Sequence, residues 1–244
     1  MGLFGGSSKG IRFEAFGTSH LIVIGLLVLC MIGLYIGRNK LKELNLRKVE
    51  FGFACLLIVA DLLYNIWMVK NDIWRTSDSL PLQLCSISLY LVILLLLTRN
   101  KLVYEIVLFT GILGAMQAVL TPYLFFDFPH FRFIHFFGTH SLIILVPLYF
   151  TWVIGYRPTI YSIGKVFLFL NILMPFIMLV NKKTDGNYMF LGGKPETKSV
   201  LNYLGEYPYY IVSLEGVLLV LSLLLWVGLR EKSKKLRKET EISM

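Results

Sequence analysis

Charge is what this 244-residue chain has least of. Only 16% of its residues are Asp, Glu, Lys or Arg, against 56% hydrophobic, whereas soluble domains carry about 25% charged residues. Long apolar runs separated by short basic loops mark an integral membrane protein and exclude a water-soluble domain. Acids are scarcer than bases, 15 against 24, which leaves a net charge of +9. Even so, a nucleic-acid partner is excluded, because the basic residues form no folded face outside the bilayer. Six of them crowd into "REKSKKLRKE" after Leu229 and five into "RNKLKELNLRK" between two apolar runs, as the positive-inside rule and anionic head groups require. Cysteine is sparse too: Cys30, Cys55 and Cys85 all fall in apolar runs, so no disulfide framework is expected. Walker, GxGxxG, GxSxG and HExxH patterns are missing, and with them the usual signs of phosphate cradles, hydrolase elbows and zinc helices. No cleavable signal peptide is expected, since the first apolar run is long enough to span and ends in a basic stop. "LVLC" has Leu29 where lipoprotein processing needs a small residue, and "MGLFGG" has Gly6 where myristoylation needs Ser or Thr.

What the chain does have is seven apolar runs, at about 20–37, 49–69, 80–97, 102–120, 135–154, 161–180 and 209–229. Each is near the ~20 residues that cross ~30 Å of hydrocarbon. The predicted fold is all-α, a polytopic seven-transmembrane-helix bundle over 20–229, preceded by a short segment 1–19 and followed by a basic tail 230–244. The glycine-rich start reads as disordered, and the tail as at most a solvated juxtamembrane helix. The longest loop, "NKKTDGNYMFLGGKPETKSVLNYLGEYP", reads as a surface lid. Fourteen basic residues fall on the side of the C-terminus and nine on the other, with Lys165 opening a span. The expected placement is multi-pass in the cell membrane, with the C-terminus cytoplasmic and the N-terminus outside. Gly111 and Gly114 in "TGILGA" read as close helix-packing positions. There is no internal repeat, and an odd span count runs against an inverted-repeat transporter.

Polar groups in hydrocarbon cost a few kcal/mol each, so their placement is informative. Counted from the outer ends of the spans, His20 opens the first. Asn65 lies about five residues into the second, with Asp61 one turn below. Cys85 lies about five residues into the third, with Gln83 before it, and Gln117 is near the outer end of the fourth. His140 lies about five residues into the fifth, Asn171 at mid-span in the sixth and Glu215 about six residues into the seventh. Only Glu105 leans clearly to the cytoplasmic side. On this count Cys85 and His140 both lie about 7–8 Å below the outer boundary. Pro81 is tolerated in a first helical turn, so Cys85 is placed near a positive helix end that favours its thiolate. A Cys–His couple with a polar orienter is the minimum for acyl transfer through a thioester. Asp61, Asn65 or Glu215 are equal candidates for orienting the imidazole. The competing reading is hydrogen-bonding glue between helices. His130, His135 and His140 are spaced by five, which turns them to different faces of a helix and disfavours a metal centre. The first two are expected in or beside the outer loop.

The motifs "SDSLPLQLCSIS" and "HFFGTHSLIILVPLY" resemble the YwaF family of bacterial integral membrane proteins over roughly residues 15–230. That family is related to a eukaryotic seven-span transmembrane acyltransferase of ether phospholipids. More distantly, it is similar to androgen-induced-gene-type hydrolases, which cleave fatty-acid esters with a membrane threonine and histidine. The resemblance implies a membrane-embedded lipid acyltransferase or lipid esterase with Cys85 as nucleophile and His140 as base, acting on a membrane phospholipid or fatty-acyl ester. No cofactor is required. His20, Asp61, Asn65, Gln83, Gln117, Asn171 and Glu215 would line its polar cavity, on the depth count alone. The alternative is a non-catalytic small-solute transporter or binding protein that uses the same cavity.

Overall fold

The structure, a computed structural model, describes residues 2–7, 12–194 and 203–231. Among them are seven α-helices: α1 (Thr18–Lys42), α2 (Arg47–Lys70), α3 (Leu84–Thr98), α4 (Lys101–Leu120), α5 (Phe131–Tyr149), α6 (Ile160–Thr184) and α7 (Tyr209–Leu229). The described residues form no strand, only an isolated bridge between Arg12 and Phe126. Six of the helices are long and apolar enough to cross a membrane, and α3 is a shorter apolar helix. Helix is forced on these runs because lipid offers the backbone no hydrogen-bond partners.

Local chemistry sets the ends. Arg99 adopts a left-handed conformation (φ 53°), which lets the chain reverse between α3 and α4. Asn100 then caps α4, its side chain accepting from the N–H groups of Leu102 and Val103. Thr159 and Ser162 form a capping box at the head of α6. The ring of His130 accepts from the N–H of Arg132, so α5 starts at Phe131, four residues earlier than the apolar run suggests. Pro147 has no N–H to offer the Ile143 carbonyl. That carbonyl lies against Gly111, where an added Cβ would meet it at 3.1 Å. The missing side chain therefore brings α4 and α5 together, as the sequence pattern predicts. Beyond Pro147 the helix widens into a π-turn, Phe150–Ile154, closed by Gly155 at φ 90°.

α4 and α5 are the central helices, 50% and 56% of their spans enclosed, against 11% for α1 and α7. Tyr104, Leu108, Phe109, Ile143, Ile144 and Phe150 form the middle of the core. The connections gather on two faces. The amino face carries the N-terminal segment with the α2–α3, α4–α5 and α6–α7 connections; the carboxy face carries the other three. Tyr188 to Thr76 and Phe13 to Phe125 tie the first. Tyr156 to Arg99 and Arg47 to Leu96 tie the second.

The glycine-rich start departs from the expectation of disorder. The Leu3 carbonyl accepts from the Phe131 N–H, Phe4 O from Trp67 Nε1, and Gly5 O bonds His130 Nε2. Residues 2–7 are thus pinned to the amino face by backbone carbonyls, which composition does not reveal. Residues 8–11 and 195–202 of the expected segments, and the basic tail from 232, lie outside the described residues.

Candidate functional site

The third apolar run begins at Leu80, yet α3 begins at Leu84. Pro81 cannot donate a backbone hydrogen bond and biases Leu80 toward extended backbone. The segment 77–83 therefore reaches the helix as a run of turns and bends, with Ser79 N–H donating to Arg75 O and Leu82 N–H to Leu80 O, and a second loop holds it there. Tyr188, fully buried between α6 and α7, accepts from the Leu80 N–H at 3.0 Å and donates to the Thr76 carbonyl at 2.6 Å. Burial raises its phenol above the ordinary value, with the Leu80 bond opposing, so it stays a neutral hydroxyl. Asn181 of α6 fixes Tyr188 from behind, accepting from its N–H at 2.7 Å and donating to its carbonyl at 3.0 Å. Gly186 permits the two loops to meet: a Cβ there would lie 2.5 Å from the Ser77 carbonyl. Met189 and Phe190 both take left-handed backbone (φ 56° and 54°), a costly conformation for such side chains. Gln83 and Tyr210 hold them in it, Oε1 of Gln83 accepting from the Met189 N–H and the Tyr210 hydroxyl donating to the Phe190 carbonyl. The described part of the long loop thus does lie over the bundle, clamped on the head of α3.

Cys85 is the second residue of α3 and half-buried. The first helical bond runs from the Ile87 N–H to the Gln83 carbonyl. Gln83 supplies no side-chain cap, so the N–H groups of Leu84, Cys85 and Ser86 have no acceptor among the described residues. They are the open donors that every helix start leaves, and here they surround a thiol. His140 is the tenth residue of α5. Its Nδ1–H donates to the Phe136 carbonyl at 2.7 Å, which leaves the lone pair on Nε2. Its ring stacks on Phe136 with centroids 4.2 Å apart.

Counted from the helix ends, Cys85 and His140 are second and tenth, not five and five. Their relative height is set by α4 instead. Leu84 lies over Gly114, where an added Cβ would meet its Cδ2 at 3.6 Å, and Ile143 packs on Gly111. Because α4 runs opposite to both neighbours, Gly111–Gly114 is the turn that the head of α3 and the His140 turn of α5 both meet. Ser88 bonds Thr110 one turn below. Among the described residues, no hydrogen bond joins Cys85 to His140.

The other candidates are distributed as separate pairs. His20 is fully buried, its Nδ1 accepting from the Phe16 N–H just ahead of α1 and its Nε2–H donating to the Val119 carbonyl, so both ring nitrogens are engaged and the second ties α1 to α4. Asp61 accepts from Tyr90 at 2.9 Å, joining α2 to α3, and Asn65 donates to the Asp61 carbonyl. Gln117 donates to Thr121 on its own helix. Asn171 and Glu215 bond each other at 2.9 Å between α6 and α7. His130 is buried at the cap of α5, where burial holds its pKa below the ordinary imidazole value. His135 sits inside α5 and not in the loop, stacked on Tyr64 at 4.5 Å. No group of three or more His, Cys, Asp or Glu side chains among the described residues could hold a metal ion.

Three features escape sequence reasoning. Glu50, almost fully buried, receives two bonds from Arg99 (2.7 and 2.8 Å), one from Arg47 (2.8 Å) and one from Tyr149 (2.6 Å); an acid at the start of an apolar run, two residues after Lys48, was its only signal. Arg132, the second residue of α5, spreads over the Tyr64 ring. A cleft of ≈ 830 Å³ runs between α1 and a different face of α5. It has Arg12, Glu14 and Asp127 at its mouth and Leu26, Leu27 and Phe137 along its wall, and neither Cys85 nor His140 lines it.

The model of the TMEM164 family, a transmembrane protein family, matches residues 15–226. No curated protein and no solved structure matches the chain.

Proposed function

The chain belongs to the TMEM164 family, and from that premise we propose that it is a membrane-embedded lipid acyltransferase or esterase, with Cys85 as nucleophile and His140 as base. One observation carries this reading. The Leu84, Cys85 and Ser86 N–H groups are open around the Cys85 thiol, at the turn of α4 that the His140 segment also meets. The resemblance of "SDSLPLQLCSIS" and "HFFGTHSLIILVPLY" to a cysteine–histidine acyltransferase supports the same two residues.

In this chemistry His140 Nε2 takes the thiol proton as Cys85 Sγ bonds the ester carbonyl carbon of a phospholipid or fatty-acyl ester. The oxyanion is received by the open N–H groups at the head of α3. Collapse breaks the ester C–O bond, and the alcohol leaves with the proton from His140. Water or a lysophospholipid hydroxyl then gives its proton to Nε2 and attacks the thioester, and the thiolate leaves and is reprotonated. Gln83 has its oxygen engaged by Met189 and only its amide N–H to offer. The excess of basic residues on the carboxy face supports a cytoplasmic C-terminus and a centre that opens to the outer leaflet.

The test uses purified full-length protein in bilayer discs, treated with a thiol-directed lipid-like probe and mapped by mass spectrometry. Labelling at Cys85, lost with His140→Ala and outpacing that at Cys30 and Cys55, is the expected result. Absence of labelling at Cys85, with normal lipid turnover in Cys85→Ala, overturns the reading.

A further inference from the structure

Arg132 stands in the first turn of α5, on the amino face, with its guanidinium carbon 4.6 Å from the centroid of Tyr64 and 5.3 Å from that of Phe136. The ion pairs among the described residues engage Arg47, Arg75, Arg99 and Lys165. Arg132 has no carboxylate partner there, and no side-chain hydrogen bond. Its nitrogens are not sealed in either. The enclosed polar atoms without partners belong to His135 and Ser222, and Arg132 as a whole is half-buried. A cation so placed, desolvated on two sides by aromatic faces and lacking a counter-ion, is built to receive an anion.

Its position relative to the candidate centre narrows the anion. The Phe136 ring that carries the guanidinium on one side stacks on His140 at 4.2 Å, so one aromatic ring links the two side chains. Along α5, Arg132 precedes His140 by eight residues, about 12 Å of rise toward the amino face. A glycerophospholipid has the same order: its phosphate lies at the membrane surface and its ester carbonyls deeper. Exposed Leu63 and Ile66 flank Tyr64 on α2, so lipid adjoins this spot directly. We infer that Arg132 holds the phosphate of a phospholipid whose ester lies toward Cys85, and that it selects phospholipids over neutral acylglycerols. This rests on the acyl-transfer reading for the ester, but not for the phosphate.

The experiment therefore reads binding separately from chemistry. The full-length protein in bilayer discs is given a phosphatidylcholine with a photoactivatable head group, and in parallel a diacylglycerol with matched acyl photoprobes. The head group cross-links to the segment 131–136 in the unaltered protein, and cross-links confined to α1, α6 or α7 overturn the inference. The preference for phosphatidylcholine over diacylglycerol falls roughly tenfold or more in Arg132→Gln and is largely kept in Arg132→Lys; an unchanged preference in Arg132→Gln overturns it. Inorganic phosphate alone, at the same concentration, leaves the cross-link in place. Protection equal to that by the lipid makes the occupant a soluble anion and also overturns it. If Arg132-dependent capture is found but no thioester ever forms at Cys85, the chemistry fails and the phosphate site stands. If the thioester forms equally fast from both lipids in Arg132→Gln and in the unaltered protein, the reverse holds.

Discussion

Replacing Tyr188 by Phe removes a single oxygen from an enclosed place, and its effect can be worked through from the contacts. The ring stays, so packing against Ile177 and Tyr210 is kept. Two bonds are lost, the 3.0 Å bond from Leu80 N–H and the 2.6 Å bond to the Thr76 carbonyl, both of them only partly buried, so water takes over part of each. Net losses of about 1 kcal/mol per bond give about 2 kcal/mol. The damage falls on the junction between residues 76–83 and 181–190, so it lowers the free energy of opening that junction and not that of melting the whole bundle. Thiol labelling of Cys85 through such an opening accelerates about 30-fold. Maleimide labelling in bilayer discs, quantified by mass spectrometry, measures it, and Cys30 and Cys55, both exposed on the bundle surface, serve as internal controls. Unchanged labelling at Cys85, or equal acceleration at all three cysteines, would refute the idea that Tyr188 clamps the head of α3.

Gly111→Ala costs about 1–3 kcal/mol, because the new Cβ meets the Ile143 carbonyl at 3.1 Å and its Cγ2 at 3.2 Å. Gly114→Ala, whose nearest neighbour is a Leu84 methyl at 3.6 Å, is expected to be tolerated, and comparative detergent unfolding of the two separates them. Glu50→Ala removes the acceptor of four bonds while leaving two guanidinium groups, 32% and 37% exposed. Partial rehydration of those groups puts the cost at the low end of the 3–5 kcal/mol typical of broken buried pairs, about 3 kcal/mol. Unfolding of Glu50→Ala, Arg99→Ala and the double variant checks it, with additive losses counting against the network.

The helices were legible in the sequence because a bilayer leaves an apolar run of that length little choice. Gly111 was legible for a related reason: small residues between spans mark where backbones approach. The true start of α3 was not, since it depends on Tyr188 and Met189, more than a hundred residues away. The docking of residues 2–7 was invisible because the groups that make it are backbone carbonyls. Depth was read from the edges of apolar runs, and the His130 cap moved the start of α5 by four residues, so the matched count for Cys85 and His140 did not carry over. Their common turn on α4 comes from the packing of Leu84 and Ile143. Helix rotation, which depth does not give, sets where the polar residues look: Asp61 toward Tyr90 of α3, Asn65 back onto its own helix, and Asn171 and Glu215 into the α6–α7 seam. Nothing in the sequence marks Arg132: its place depends on α5 starting at Phe131 and on Tyr64 of another helix lying beneath it.

A fifteen-residue α3 rises only about 22 Å, some 8 Å short of a ~30 Å hydrocarbon layer. The rest of the depth at its head is made up by protein: residues 76–83 and the described part of the α6–α7 loop are held there by Tyr188 and Gln83. Cys85, the second residue of that short helix, therefore lies beneath a plug of chain and not at an open helix end. Its reach to outside reagents is set by how readily the two loops part, a local opening and not a property of the bundle as a whole.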